Sequence, residues 1–341
     1  MSHKYYNALN LYYQGVYEKL KKAWNQYHSW FGTWSQLKNG IKIDIEKEWQ
    51  RLLKQDVRLL LLEDEQYPAL LKEIPSPPFG IYIKGSYIFE SPAVAIVGTR
   101  KATYDGLSLS QKFGRELAEQ NIIVVSGLAL GIDQAAHKGA LEVGGRTIAV
   151  LANGLDDIYP HQNKSLGEKI LNSGGALVSE YPLGSPSLSH QFLERNRIIS
   201  GLSLGTLVIE APFESGALVT AKYAIEQNRE VFVVPGPITH KNYIGSNQLI
   251  KSGAALVTDL EDICQNLNLP ISSQSKKAKK MISLTPEQKM VLNYVEVSGY
   301  SLPIDKIIEL TKLEPHVVNQ ALTSLVINDI IKEYNGRYSL L

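Results

Sequence analysis

Between Pro92 and Asp259 the chain carries seven short apolar runs rich in β-branched residues: PAVAIVG, NIIVVSG, RTIAVLANG, GALVSEYP, GTLVIEAP, REVFVVPG and AALVTD. Most end in Gly, Pro, Ser or Asn and are separated by helical-looking segments. Continuous apolar strands alternating with helices need cover on both faces, so the pattern predicts an α/β fold built on a mostly parallel sheet. Ligands of such sheets bind beyond the carboxyl ends of the strands. That is where this sequence places its small and polar residues.

The flanking segments read differently. The first fifty residues are dense in Tyr and Trp and predict a small helical piece whose aromatics form a core. The stretch QYPALLKEIPSPPFGIYIKGS (66–86) crowds prolines and reads as an extended connector. LPISSQSKKAKKMISL (269–284) is polar and aperiodic, a linker. After it, Thr285 and Pro286 supply an N-cap and a first helical residue. Two more helices and an Asn335-Gly336 hairpin complete the outline of a winged helix. The expected boundaries are 1–50 for the helical domain, 51–268 for the α/β domain, 269–282 for the linker and 283–341 for the winged helix.

Charge and cysteine content narrow the classes of function. The chain has 35 Lys and Arg against 34 Asp and Glu. Residues 1–92, 93–260, 261–281 and 282–341 carry net charges of +2, −1, +2 and −2. No segment is basic enough to hold a polyanion by bulk field, so focused cations and backbone amides must do it. The single cysteine, Cys264, excludes an intrachain disulfide framework and a multi-cysteine zinc site, and suits a reducing compartment. No apolar run approaches the ~20 residues of a membrane span and the start lacks a signal-peptide core, so a cytoplasmic protein without membrane contact is expected.

Several strand-end turns are suited to anions. Gly98-Thr99-Arg100 closes the first run: glycine lets a phosphate approach the backbone, and arginine offers a matching fork. Ser126-Gly127 opens the next turn, SGLALGID, a cradle of backbone N–H groups. His137 lies four residues beyond Asp133, and the pair reads as packing rather than catalysis because no third ligand accompanies it. Lys164 follows Tyr159-Pro160-His161 and could add a point charge. FLERNRIIS supplies Phe192, a possible stacking face, with Arg195, Asn196 and Arg197. The two arginines diverge by about 200° on a helix, so at a helix start one would reach the ligand while the other holds the scaffold. Ser215-Gly216 forms a third anion-friendly turn. Together these turns suit several phosphates in a row better than one small substrate. Walker A, HExxH, GxSxG and paired-carboxylate signatures are missing from the sequence, so no catalytic, metal or cofactor residue is assigned.

The ordered motifs AIVGTR (95–100), VVSGLALGIDQAAHKGAL (124–141), LANGLDDIYPHQN (151–163), LVSEYPLG (177–184), FLERNRIISGLS (192–203), ESGALVTAKYAIEQNREVFVVPGPI (214–238) and GSNQLIKSGAALVT (245–258) resemble the DprA/Smf family of bacterial DNA-processing proteins. The resemblance implies an extended Rossmann-like fold that binds single-stranded DNA, works as a homodimer, loads RecA recombinase onto incoming strands in natural transformation, and performs no catalytic turnover. It places the binding site at Gly98, Thr99, Arg100, Ser126, Gly127, Phe192, Arg195, Asn196, Arg197, Ser215 and Gly216. Some relatives carry a lysine just before the phenylalanine; here the stretch is Ser189-His190-Gln191, and Lys164 is expected to substitute. The N-terminal helices resemble a degenerate SAM or helix-hairpin-helix domain that keeps only Gly15 of the glycine-rich turn. The winged helix has no Lys or Arg from Glu314 to Ile327, which favours docking of a partner over duplex reading. A remoter likeness to phosphoribohydrolases, enzymes that cleave nucleoside monophosphates, is the alternative. There Thr220 stands near the expected catalytic glutamate.

Overall fold

The computed structural model describes residues 2–37, 40–86, 89–271, 284–298, 301–328, 330–334 and 336–340. They form two compact units, one before residue 272 and one after it.

The first unit opens with four helices, α1 (Ser2–Tyr12), α2 (Tyr17–Tyr27), α3 (Trp30–Leu37) and α4 (Ile45–Lys54). Strand β1 (Val57–Leu61), the short α5 (Ala69–Lys72) and β2 (Gly80–Gly85) follow. The alternating part then runs β3 (Ala93–Val97), α6 (Tyr104–Glu119), β4 (Ile123–Ser126), α7 (Ile132–Glu142), β5 (Thr147–Val150), α8 (Lys164–Asn172), β6 (Ala176–Ser179) and α9 (Ser189–Gly201). It ends with β7 (Gly205–Val208), α10 (Gly216–Glu226), β8 (Glu230–Val233), α11 (Ile244–Lys251), β9 (Ala255–Leu256) and α12 (Leu260–Asn266).

All the strands of this unit join one sheet, ordered β1-β2-β6-β5-β4-β3-β7-β8-β9. The seven apolar runs are β3 to β9, and neighbours among them pair in parallel. Their continuous apolarity has the expected cause. Val94, Ile96 and Val124 pack on one face with Phe113, Ile132 and Ala136, while Ala95, Val97 and Val125 pack on the other with Ile198, Ile199 and Ala221. From β3 the chain moves outward through β4, β5 and β6, then returns to β3's other side with β7. The connections therefore diverge at β3, the topological position where such sheets open a crevice.

The connector expected over 66–86 is only partly that. Its end, Gly80–Gly85, is strand β2, antiparallel to both β1 and β6. Ile81, Tyr82 and Ile83 are fully buried. The prolines stop before the strand begins, so they do not disturb its ladder.

Helices α6 and α7 touch backbone to backbone. A Cβ at Gly139 would lie 2.0 Å from the Gln111 carbonyl oxygen, and one at Gly114 would lie 2.3 Å from that of Ala136. The aromatic N-terminal segment is core: Tyr6 and Trp30 are buried with edge-on rings 4.9 Å apart, in one cluster with Leu59, Leu61 and Tyr82 of the sheet. Gly15 is spent on packing, since a Cβ there would meet the Tyr181 ring at 2.4 Å.

The second unit holds α13 (Pro286–Ser298), β10 (Leu302–Pro303), α14 (Ile304–Thr311), α15 (Pro315–Ile327), β11 (Ile331–Tyr334) and β12 (Arg337–Leu340), with a three-stranded antiparallel sheet ordered β10-β12-β11. Thr285 caps α13 through reciprocal bonds with Gln288. Leu269 and Ile271, at the start of the expected linker, pack against the core of the first unit. Residues 272–283 of that linker and Asn335 of the expected hairpin lie outside the described residues.

His137 is wholly buried between α7 and β5. The Thr147 hydroxyl donates to the Val124 carbonyl, so it accepts from His137 Nδ1–H at 2.8 Å. Burial, helped by the charge of Arg195, pulls the imidazole pKa down to about 3. The unfolded chain therefore takes up this proton near pH 6.5 while the folded chain refuses it, and stability falls as pH drops through that window. We expect the unfolding free energy to fall by about 2 kcal/mol more than that of His137→Gln between about pH 7 and about pH 5, measured by urea denaturation. Parallel pH profiles would contradict this assignment.

Candidate nucleic-acid interface

A cavity of about 340 Å³ opens at the carboxyl ends of β3, β4 and β7, beside the divergence at β3. Gly98, Thr99, Arg100 and Lys101 line it from the loop after β3, Ala129 from the turn before α7 and Asp133 from its start, Phe192, Arg195 and Asn196 from α9, and Ser215, Gly216 and Thr220 from the start of α10. The loops interlock through the backbone. Thr99 N–H donates to the Glu210 carbonyl at 2.8 Å, and Ile132 N–H donates to the Thr99 carbonyl at 3.3 Å. Gly131 has φ +81°, and a Cβ there would meet the Thr99 carbonyl oxygen at 2.5 Å, so only glycine serves at this crossing.

Arg195 forms the floor. It is 3 % exposed, and its guanidinium donates to the carbonyls of Gly127, at 3.0 Å, and Val150. Asp133 accepts from the amides of Gly127, at 3.1 Å, and Ala129, at 3.4 Å. Burial lowers the Arg195 pKa to about 10, with Asp133 acting in the opposite sense. Burial raises the Asp133 pKa despite the guanidinium and the two amides. Removing either partner would leave a charge in a dry interior.

The wall carrying Arg100 is held by Glu210, which sequence reasoning missed. Its carboxylate is fully buried and accepts from Thr103 N–H at 3.0 Å, from the Thr103 hydroxyl, and from Asn242 at 2.8 Å. Asn242 also donates to the Lys101 carbonyl at 2.9 Å. Burial raises the carboxyl pKa, but these hydrogen bonds outweigh it and leave Glu210 below its ordinary value. The one signal available was an acid directly after the apolar run of β7, at the end of the sheet where ligands sit.

The structure brings together Gly98, Thr99, Arg100, Phe192, Arg195, Asn196, Ser215 and Gly216. It does not bring the other four expected residues into the lining. Ser126 is fully buried and donates to the Ile96 carbonyl at 2.6 Å. Gly127 has its amide and carbonyl engaged by Asp133 and Arg195. Lys164 is exposed at the start of α8, outside the cavity. Arg197 is buried and forms a two-point ion pair with Glu180, at 2.8 and 2.6 Å, with the Tyr17 ring 5.3 Å from its guanidinium. Both arginines sit in the middle of α9 rather than at its start, so the helical divergence sends them to separate partners.

Arg100 is left for a ligand. It is exposed, lies 5.2 Å over the Phe192 ring, and makes no ion pair with any other described residue. Lys101 is exposed beside it. Asn196 donates to the Gly216 carbonyl at 3.2 Å, and the Ser215 hydroxyl caps α10 by accepting from Ala217 N–H. The arrangement offers a cation on an aromatic ring, small backbone turns and a helix N-terminus: features that hold phosphate and base together. Among the described residues no cluster of His, Cys, Asp or Glu could hold a metal ion. No described helix is long and apolar enough to cross a membrane.

The family described as DNA recombination-mediator protein A matches residues 58–268. Protein Smf of Escherichia coli K12 is 40% identical over 270 residues, covering 77% of this chain and 72% of that protein. The X-ray structure of DNA processing protein A from Streptococcus pneumoniae aligns with TM-score 0.61 and 36% identity, over 71% of this chain and 82% of that one. A structure of DNA processing protein A from Helicobacter pylori, described as giving insight into its single-stranded DNA binding mode, aligns with TM-score 0.56 and 29% identity, over 62% and 95%.

If Glu210 builds the wall and Arg100 only occupies it, their replacements separate cleanly. Glu210→Ala strands three donors, the Asn242 amide buried and the two of Thr103 half-buried, and is expected to lower the unfolding free energy by about 3 kcal/mol. Arg100→Ala is expected to change it by less than about 0.5 kcal/mol. Denaturant unfolding of both variants checks this, and an equal loss would mean that Arg100 is structural.

Proposed function

We propose, for a chain that belongs to the DNA recombination-mediator protein A family, that the cavity binds single-stranded DNA with Arg100 as its phosphate anchor and Phe192 as its base-stacking face. The observation that carries this reading is the exposed guanidinium of Arg100 over the Phe192 ring, flanked by the Ser215–Gly216 turn. A single strand presents phosphates and unpaired bases side by side, and the cavity offers one partner for each. The near-neutral charge of the chain supports a site that works by contact rather than by bulk field.

On this reading the protein protects incoming single strands and hands them to RecA in transformation and recombination, acting in the cytoplasm as a homodimer and without chemical turnover. The family's description as recombination mediators supports the hand-over. Exposed Phe213, Ile238 and Ile244, beyond the ends of β7 and β8, offer apolar surface to a second copy. Thr220, rather than a carboxylate, lines the cavity where a phosphoribohydrolase would need its acid.

Fluorescence anisotropy with labelled oligothymidylate, titrated against salt with duplex as control, tests the reading. Tight, salt-sensitive binding of the single strand is expected. Arg100→Ala should weaken it for every sequence and reduce the slope of log K against log salt by about 0.7. If affinity and slope stay unchanged, Arg100 is not the anchor.

A further inference from the structure

The aromatic surface does not stop at Phe192. The Tyr159 ring lies 5.8 Å from it, and the His161 ring lies 5.7 Å from Tyr159 on the loop between β5 and α8. Tyr159 is 37% exposed, its hydroxyl makes no hydrogen bond to any other described residue, and His161 is exposed. The loop is fixed to the cavity. Buried Asn163 donates to the carbonyls of Leu128 and Ala129, at 2.8 and 3.2 Å, and Ala129 lines the cavity. An exposed ring held by a rigid loop loses little entropy when a flat ligand settles on it.

We propose that Tyr159 and His161 form a second base-stacking step beside Phe192, so that a bound single strand carries nucleobases over the β5–α8 loop as well as into the cavity. The inference rests on the single-strand reading and adds a site to it. Charge distinguishes bases from phosphates here. The Asp157 carboxylate lies 3.7 Å from His161 Nδ1, which disfavours a phosphate on this step while leaving the π-faces open to uncharged bases. Past it, exposed Lys164 begins α8 and is placed to meet the backbone as the strand leaves.

The test uses the full chain and oligothymidylates from roughly four to roughly sixteen nucleotides, the range of common single-strand site sizes. Tyr159→Leu should weaken binding of the longer strands by about five- to a hundredfold, leave the shortest unchanged, and be rescued by Tyr159→Phe. In the unsubstituted protein, ultraviolet cross-linking of a bromodeoxyuridine strand should map to the peptide carrying Tyr159, a readout independent of how the variants fold. Equal binding of every length by folded Tyr159→Leu, or cross-links confined to Phe192, would overturn the proposal. If Arg100→Ala still loses affinity in that case, the single-strand reading stands and only the second step falls. Failure of the unsubstituted chain to bind any single strand overturns both.

Discussion

The guanidinium of Arg195, buried under the ends of β4 and β5, is the contact on which the site depends. It bonds the carbonyls that close those strands, while Asp133 gathers the amides of the following turn. Burying an arginine is costly, and the cost is offset only when its donors are satisfied and a counter-charge lies close. Asp133 supplies that charge, and the result is a floor that cannot relax toward solvent. Arg197, two residues on, does the same for the opposite side of α9 through Glu180, tying in the N-terminal helices by way of Tyr17. One helix thus locks the sheet ends on one face and the aromatic cluster on the other.

The consequence for charge is that arginine count misleads. FLERNR places two arginines in the densest polar cluster of the chain, yet burial and pairing take both out of the pool available to a polyanion. The cations left at the mouth are Arg100 and Lys101, raised on a loop that Glu210 and Asn242 hold from behind. A chain that is nearly neutral overall can then still present cations at the site, with the exposed Glu214 carboxylate on the same cavity lining.

Much of the fold was legible in advance because parallel strands covered on both faces leave an unmistakable trace. The runs from AVAIV to AALV became β3 to β9 in register with their neighbours. Strand β2 was not legible, since PSPP dominates the local pattern and the pairing that stabilises GIYIKG comes from β1 and β6, far away in sequence. The glycine turns and Phe192 were visible as strand-end residues. Glu210 was not, because a lone acid carries no pattern until Thr103 and Asn242, 107 and 32 residues away, are seen to converge on it.

By itself the sequence determined the α/β class, the ends of the strands where a ligand would sit, and the residue types gathered there. These follow from local periodicity and from the chemistry of Gly, Ser and Arg after a strand. Which arginine faces the ligand was decided only by tertiary structure. Arg100, Arg195 and Arg197 have the same side chain, and what separates them is burial together with the carbonyls and carboxylates that the packed elements deliver to two of them. Side-chain partners of that kind come from distant parts of the chain, so they exist only once the sheet has brought those parts together.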